Sequence, residues 1–201
     1  ADNEDSKAVS SILYEQEQLT VENQAGKPLK RQYFAPTLYR HQVFTTLGFT
    51  TSPAQQPHPT PSSQSQLVGL DLTAEGRLLH GFPLTAPESG WTWDGPPVCD
   101  GSRLHVPLRK QTDTQSEVAL ARYDLATGQQ QGLPVRIASR MHAKPAQSAN
   151  RPDNLLSLTN GYLLYNTNLG TIAAFDTEQD SIKWIFHYHR SARSKRAPPR
   201  P

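Results

Sequence analysis

Few residues of this 201-residue chain combine the type and the spacing that chemistry needs. His187 and His189 stand two apart, so on a strand both imidazoles face one side and could share a metal ion, but no third ligand is evident near them in sequence. Trp91 and Trp93 have the same spacing. Such a pair either stacks on a sugar or peptide or fills a gap between sheets, and gap filling is the simpler use of two large rings. Cys99 is the only cysteine, which rules out an internal disulfide, and it reads as a small core residue. No Gly-x-Ser-x-Gly, Gly-x-Gly-x-x-Gly or phosphate-loop motif occurs. The residue types alone therefore assign no catalytic residue, no metal ligand and no cofactor.

The acidic residues that do recur point to architecture. Glu22-Asn-Gln-Ala-Gly-Lys, Asp71-Leu-Thr-Ala-Glu-Gly, Asp124-Leu-Ala-Thr-Gly-Gln and Asp176-Thr-Glu-Gln-Asp-Ser follow one another at 49, 53 and 52 residues (22 to 71, 71 to 124, 124 to 176), a period in the range of propeller blades. Each follows a short apolar run suited to a strand and precedes a reversal into a second run. Asp71, Asp124 and Asp176 are expected to accept hydrogen bonds from backbone N–H groups in those reversals, an Asx-type role. Repetition argues against catalysis, because one active site does not need a copy in every repeat.

Composition fits an all-β chain with little helix: 12 Gly, 17 Pro and 35% hydrophobic residues punctuate it too often for a helical bundle. A formal net charge of +2 is too mild to imply a nucleic-acid partner. Basic residues concentrate only at Arg190, Arg193, Lys195, Arg196 and Arg200, in a stretch rich in proline and free of acids that reads as a solvated tail. No run of about 18 apolar residues exists, so no membrane span is expected. The acidic start, Ala1-Asp-Asn-Glu-Asp-Ser, resembles neither the basic nor the apolar part of a signal peptide, and a mature export product would look the same.

The pattern divides the chain into an acidic N-terminal tail (1–11), half a blade (12–33), three blades (34–84, 91–138 and 154–190) and a basic, Pro-rich tail (191–201). The first full blade has a hairpin turn at Arg40-His41 and a Pro/Ser/Gln-rich loop from Thr51 to Gln66. The second has a turn at Asp100-Gly101, a polar loop from Arg109 to Glu117 and a hairpin closing at Gly132 to Val135, followed by a polar linker from about Ser139 to Asp153. The third is the most compact, with turns at Asn160-Gly161 and Asn168 to Gly170.

The run from Asn160 to Glu178, followed by Ile182-Lys-Trp184, resembles the repeat of the pyrroloquinoline-quinone-type (PQQ-like, quinoprotein-type) β-propellers. That repeat ends a strand in Ala-Leu-Asp, continues Thr-Gly-Lys and places a Trp eight residues after the Asp. Ala174, Phe175, Asp176 and Trp184 occupy those places, with Gln179-Asp180 where Thr-Gly is usual. In the second blade Tyr123, Asp124, Thr127 and Gly128 match, and Gly132 takes the Trp position. The resemblance spans about residues 12 to 188 and implies a partial β-propeller of about three and a half four-stranded blades, a fragment of a seven- or eight-bladed ring or one that a second chain completes. In such a stack Trp184, and Leu79 at the same offset, would fill the space between blades.

Two branches of that family suggest different functions. Quinoprotein dehydrogenases hold a quinone and a calcium ion with carboxylate and amide ligands, often beside a cysteine pair, whereas this chain has one cysteine. The non-catalytic branch, typified by the outer-membrane assembly lipoprotein of Gram-negative bacteria, binds proteins through blade loops. The resemblance thus implies a non-catalytic scaffold for protein interaction, outside the cytoplasm of a bacterium and part of a longer chain. Its partner would be another protein, the rest of the propeller or a second copy completing a ring. The alternatives are a fragment of a PQQ-dependent oxidoreductase, marked by bound calcium and quinone absorbance, and a carbohydrate-binding propeller, marked by glycan quenching of tryptophan fluorescence.

Overall fold

The computed structural model describes residues 34–47, 66–112, 114–141 and 155–188. The half blade (12–33), the tails, most of the Thr51–Gln66 loop and most of the Ser139–Asp153 linker lie outside the described residues. Within them the chain is all-β, with no α-helix and one short 3-10 turn at Leu72–Ala74. The first sheet holds β1 (Thr37–Tyr39), β2 (Gln42–Leu47), β3 (Gln66–Asp71), β4 (Arg77–Leu78) and β5 (Leu84–Thr85). The second holds β6 (Trp91–Trp93), β7 (Val98–Asp100), β8 (Arg103–Gln111), β9 (Gln115–Asp124) and β10 (Val135–Met141). The third holds β11 (Leu155–Thr159), β12 (Tyr162–Asn166), β13 (Thr171–Asp176) and β14 (Ser181–His187).

All strand pairs are antiparallel, and all but β3–β5 and β6–β8 join neighbours in sequence, so each sheet is a meander with four strand positions. One position is split in each of the first two sheets: β4 and β5 both pair with β3, and β6 and β7 both pair with β8. In the second sheet the split falls at Asp94-Gly-Pro-Pro97, where two prolines remove backbone donors that a continuous strand would need.

The side-chain period of two decides how the sheets stack. Along β8, Leu104, Val106 and Leu108 pair with Tyr123, Ala121 and Ala119, and this face joins Phe44 and Leu67 of the first sheet in one apolar core. The alternate residues include Val118 and Leu120, which join Leu156, Leu163, Tyr165, Ala173 and Phe175 of the third sheet in a second core. The middle sheet is thereby buried on both faces. Among the described residues the three sheets form an open stack with two seams and no closed ring.

The structure departs from the sequence reading at three places. The stretch from Arg109 to Glu117 is largely strand: β8 runs to Gln111, β9 starts at Gln115, and only the tip reverses. Charge is tolerated there because Arg109 has a buried ionic partner. The strand after Gly132 extends to Met141, into the expected linker, with a register shift between Arg136 and Ala138. Trp184, expected between blades, is on the outward side of the third sheet and 47% exposed, because no described sheet lies beyond it. Leu79 does pack against the first core.

Candidate functional site

The recurring aspartates Asp71, Asp124 and Asp176 end β3, β9 and β13, and each accepts hydrogen bonds from the reversal that follows. Asp71 Oδ1 accepts from Thr73 N at 2.8 Å and Thr73 Oγ1 at 2.7 Å. Asp124 Oδ1 accepts from the N–H groups of Ala126 (3.0 Å) and Thr127 (2.9 Å) and from Thr127 Oγ1 (2.9 Å). Asp176 Oδ1 accepts from Glu178 N and Gln179 N, both at 3.0 Å. The threonine hydroxyl, then the backbone donors, hold the carboxyls of Asp71 and Asp124 below the usual carboxylate range. Three carboxylates spread over three sheets in one local geometry share no reacting centre.

The seam between the first and second sheets is apolar. Trp91 and Trp93 are both buried in it, and Trp93 meets Tyr123 edge to face with ring centroids 6.1 Å apart. Of the two uses open to this pair, the simpler one is seen: the rings fill the gap between sheets and offer no exposed platform, with Trp91 Nε1 donating to Glu88 at 3.3 Å. Cys99 lies in the same core, where burial pushes its thiol up to about 12, so it is protonated and inert at neutral pH. At one end the two sheets touch through backbone alone. A Cβ on Gly81 would be driven into the Thr127 carbonyl, and one on Gly128 would stand 2.9 Å from the Gly81 carbonyl oxygen. Both glycines have positive φ, 81° and 67°.

The seam between the second and third sheets carries charge. Asp94, in the split between β6 and β7, accepts from Arg109 Nε with both oxygens at 2.9 Å, and the pair is buried. Arg109 Nη2 reaches on to the Thr167 carbonyl of the third sheet at 3.3 Å. Nearer the repeat turn, Asp180 Oδ1 lies 3.1 Å from Arg103 Nη1 and 2.6 Å from Arg122 Nη1, and Arg103 also donates to the Thr177 carbonyl. The Arg122 guanidinium lies over the Phe175 ring, 5.8 Å from its centroid. Between these groups His105 is fully buried, with no hydrogen-bond partner on either ring nitrogen and Nε2 3.7 Å from Asp100 Oδ2. Burial, outweighing the nearby Asp100, pushes this imidazole down to about 4, so it is neutral at physiological pH.

The seam charges are paired, Asp94 with Arg109 within the second sheet and Asp180 with Arg103 and Arg122 across the seam, and among the described residues no group of three or more His, Cys, Asp or Glu side chains is placed to hold a metal ion. His187 is exposed on β14 with Nδ1 3.2 Å from Thr171 Oγ1, while His189 lies outside the described residues. No described helix is long and apolar enough to cross a membrane.

What stays open is the outward face of the third sheet. The pairings Leu155–Asn166, Leu164–Ala174, Ala174–Trp184 and Ile172–Phe186 place these residues on the side opposite the second core. Leu155 is 66%, Phe186 60% and Trp184 47% exposed, with Tyr162 beside them at the turn. Large apolar side chains clustered on one face mark an interaction surface. The sequence reading singled out Trp184 for burial and passed over Phe186 and Leu155; the alternation of β14 contained the signal, since Trp184 and Phe186 must share a face.

No family model and no curated protein matches the chain. Among solved structures it is similar to a GH43 β-xylosidase/α-arabinofuranosidase, CoXyl43, from a compost microbial metagenome (9% identity, TM-score 0.43, covering 84% of this chain and 60% of that one). It is also similar to the computationally designed protein Ika8 (9% identity, TM-score 0.22, 79% and 63%) and to BamB from Moraxella catarrhalis (11% identity, TM-score 0.24, 71% and 49%). The chain thus spans less than two thirds of the length of these structures. Likenesses this distant carry no functional argument, and the functional reading rests on the sheets themselves.

Proposed function

We propose that this chain is a non-catalytic, propeller-type scaffold that binds protein through the outward face of its third sheet. The observation that supports it is the exposure of Trp184, Phe186 and Leu155 together on one sheet face, in a molecule whose two other sheet-to-sheet faces are closed by apolar cores. The PQQ-like repeat supports blades of a larger ring and a compartment outside the bacterial cytoplasm, and both belong to this proposal. An oxidoreductase or sugar-binding reading has no comparable support: the tryptophan pair that could stack on a sugar is buried, and each repeat aspartate accepts hydrogen bonds within its own turn.

Site-specific photocrosslinking tests the proposal. A photoreactive residue at position 186 is expected to capture protein in the source cell extract, while the same residue at Leu133, which is 80% exposed in the loop between β9 and β10, captures none. Equal capture at both positions, or none at 186, overturns it.

A further inference from the structure

We propose that the seam between the second and third sheets is an acid-operated latch: a proton on His105 lifts the third sheet off the second, while the seam between the first and second sheets stays closed. His105 lies at the centre of a charged cluster that spans the seam. From β7, Asp100 Oδ2 stands 3.7 Å from its Nε2. On β8 itself, Arg103 donates to that same carboxylate at 3.3 Å. From β9, Arg122 is its partner in register. From the third sheet come Asp180, which meets both arginines, and the Phe175 ring, edge to face with the imidazole at 6.4 Å. With His105 neutral, two arginines face two aspartates. A proton makes three cations against two acids around a fully buried ring whose nitrogens have no hydrogen-bond partner, and that excess charge is relieved only where water can reach it.

Topology decides which side yields. Asp100, Arg103 and Arg122 sit on strands that β8 holds by backbone pairing. Phe175 and Asp180 belong to the third sheet, a continuous meander in which no described strand pairs with one of the second sheet. Lifting it breaks no strand pair; it gives up the apolar contacts of the second core and the arginine bonds to Asp180 and to the Thr167 and Thr177 carbonyls. The first seam has no such trigger. Burial raises the Cys99 thiol and the Tyr123 phenol, so both stay neutral in acid, and the sheets are joined there by the Gly81–Gly128 backbone contact and by Thr37 Oγ1 donating to the Pro97 carbonyl at 2.6 Å. The sign follows from linkage: the closed seam holds His105 down at about 4 and an open seam returns it to the ordinary 6.5, so opening is favoured as pH falls through that window.

Two thiols in the full chain test this. Cys99 is buried in the first core, and Val118→Cys places a thiol of similar volume in the second, where Val118 is fully buried. Their reaction rates with 4,4′-dithiodipyridine are followed from pH 7.5 to 4.5, each normalised to a free thiol at the same pH. The rate at position 118 is expected to rise by about 70-fold, the change in opening equilibrium that values of about 4 and 6.5 imply, while the Cys99 rate stays level. Adding His105→Leu is expected to abolish the rise. Should Val118→Cys fail to fold, Ala173→Cys across the same core reads the same opening, and His105→Gln replaces His105→Leu on the same ground. No rise at position 118, an equal rise at Cys99, or a rise that persists without His105 each overturns the proposal.

Discussion

The two seams close the same place in opposite ways. Four residues after each repeat aspartate the backbone turns to positive φ, at Gly128 (67°) in the second sheet and Asp180 (53°) in the third, and both positions reach back toward the preceding sheet. In the first seam the residue is glycine and two backbones touch, Gly128 against Gly81. In the second it is aspartate, and the space is bridged by Arg103 and Arg122. The repeat thus determines the path of its own reversal and leaves the contact with the neighbouring sheet open to either backbone packing or charge. Where the second sheet's turn has Gly128, the third has Asp180, whose carboxylate meets two arginines of the second sheet.

The comparison can be broken most severely at the buried pair. Asp94→Ala leaves the Arg109 charge inside the charged seam without its carboxylate and is expected to cost about 3–5 kcal/mol in chemical denaturation. Replacing both, Asp94→Leu with Arg109→Met, is expected to recover much of that loss, because the desolvation cost of both ions goes with them.

His105 makes the same seam sensitive to acid. Its folded value of about 4 lies below the ordinary 6.5, so the unfolded chain binds this proton more readily. The stabilisation is complete above pH 6.5, declines as pH falls toward 4, and amounts to about 3 kcal/mol over that window. The denaturation midpoint followed across that window should drop accordingly, and His105→Leu should flatten this part of the profile; an unchanged slope in the variant assigns the acid sensitivity elsewhere.

The glycine seam responds to bulk. Gly128→Ala forces a side chain into a left-handed backbone and 2.9 Å from a carbonyl oxygen, with an expected loss of about 2 kcal/mol in thermal unfolding, independent of pH and salt. The smallest effect belongs to Asp180→Ala. Its carboxylate is 48% exposed, so the loss should stay within about 1 kcal/mol and shrink further in high salt, which urea melts at two salt concentrations would read. A salt-independent loss of several kcal/mol would mean that Asp180 acts through more than its two ion pairs.

Much of the fold was legible because it is local. Arg40-His41 and Asn160-Gly161 are two-residue reversals between alternating runs, and β1–β2 and β11–β12 pair across them. Asp71, Asp124 and Asp176 need only their own next three residues to make their hydrogen bonds. Arg109 was not legible as a strand residue because its justification, Asp94, is 15 residues away and faces it only after β8 has paired with β6. His105 carried a weaker signal: it alternates with Leu104 and Val106 on a strand, which places it on the second face of a sheet that had to be buried on both.

By itself the sequence determined most of the strands, most of the reversals and that they repeat, since period, turn residues and Asx geometry act over a few residues. Only the tertiary structure decided which seam is dry and which is charged, that Trp91 and Trp93 are enclosed, and that Trp184 faces outward. Those outcomes depend on which sheet face meets which neighbour, and desolvation and pairing across a seam have no counterpart in the order of residues along one strand.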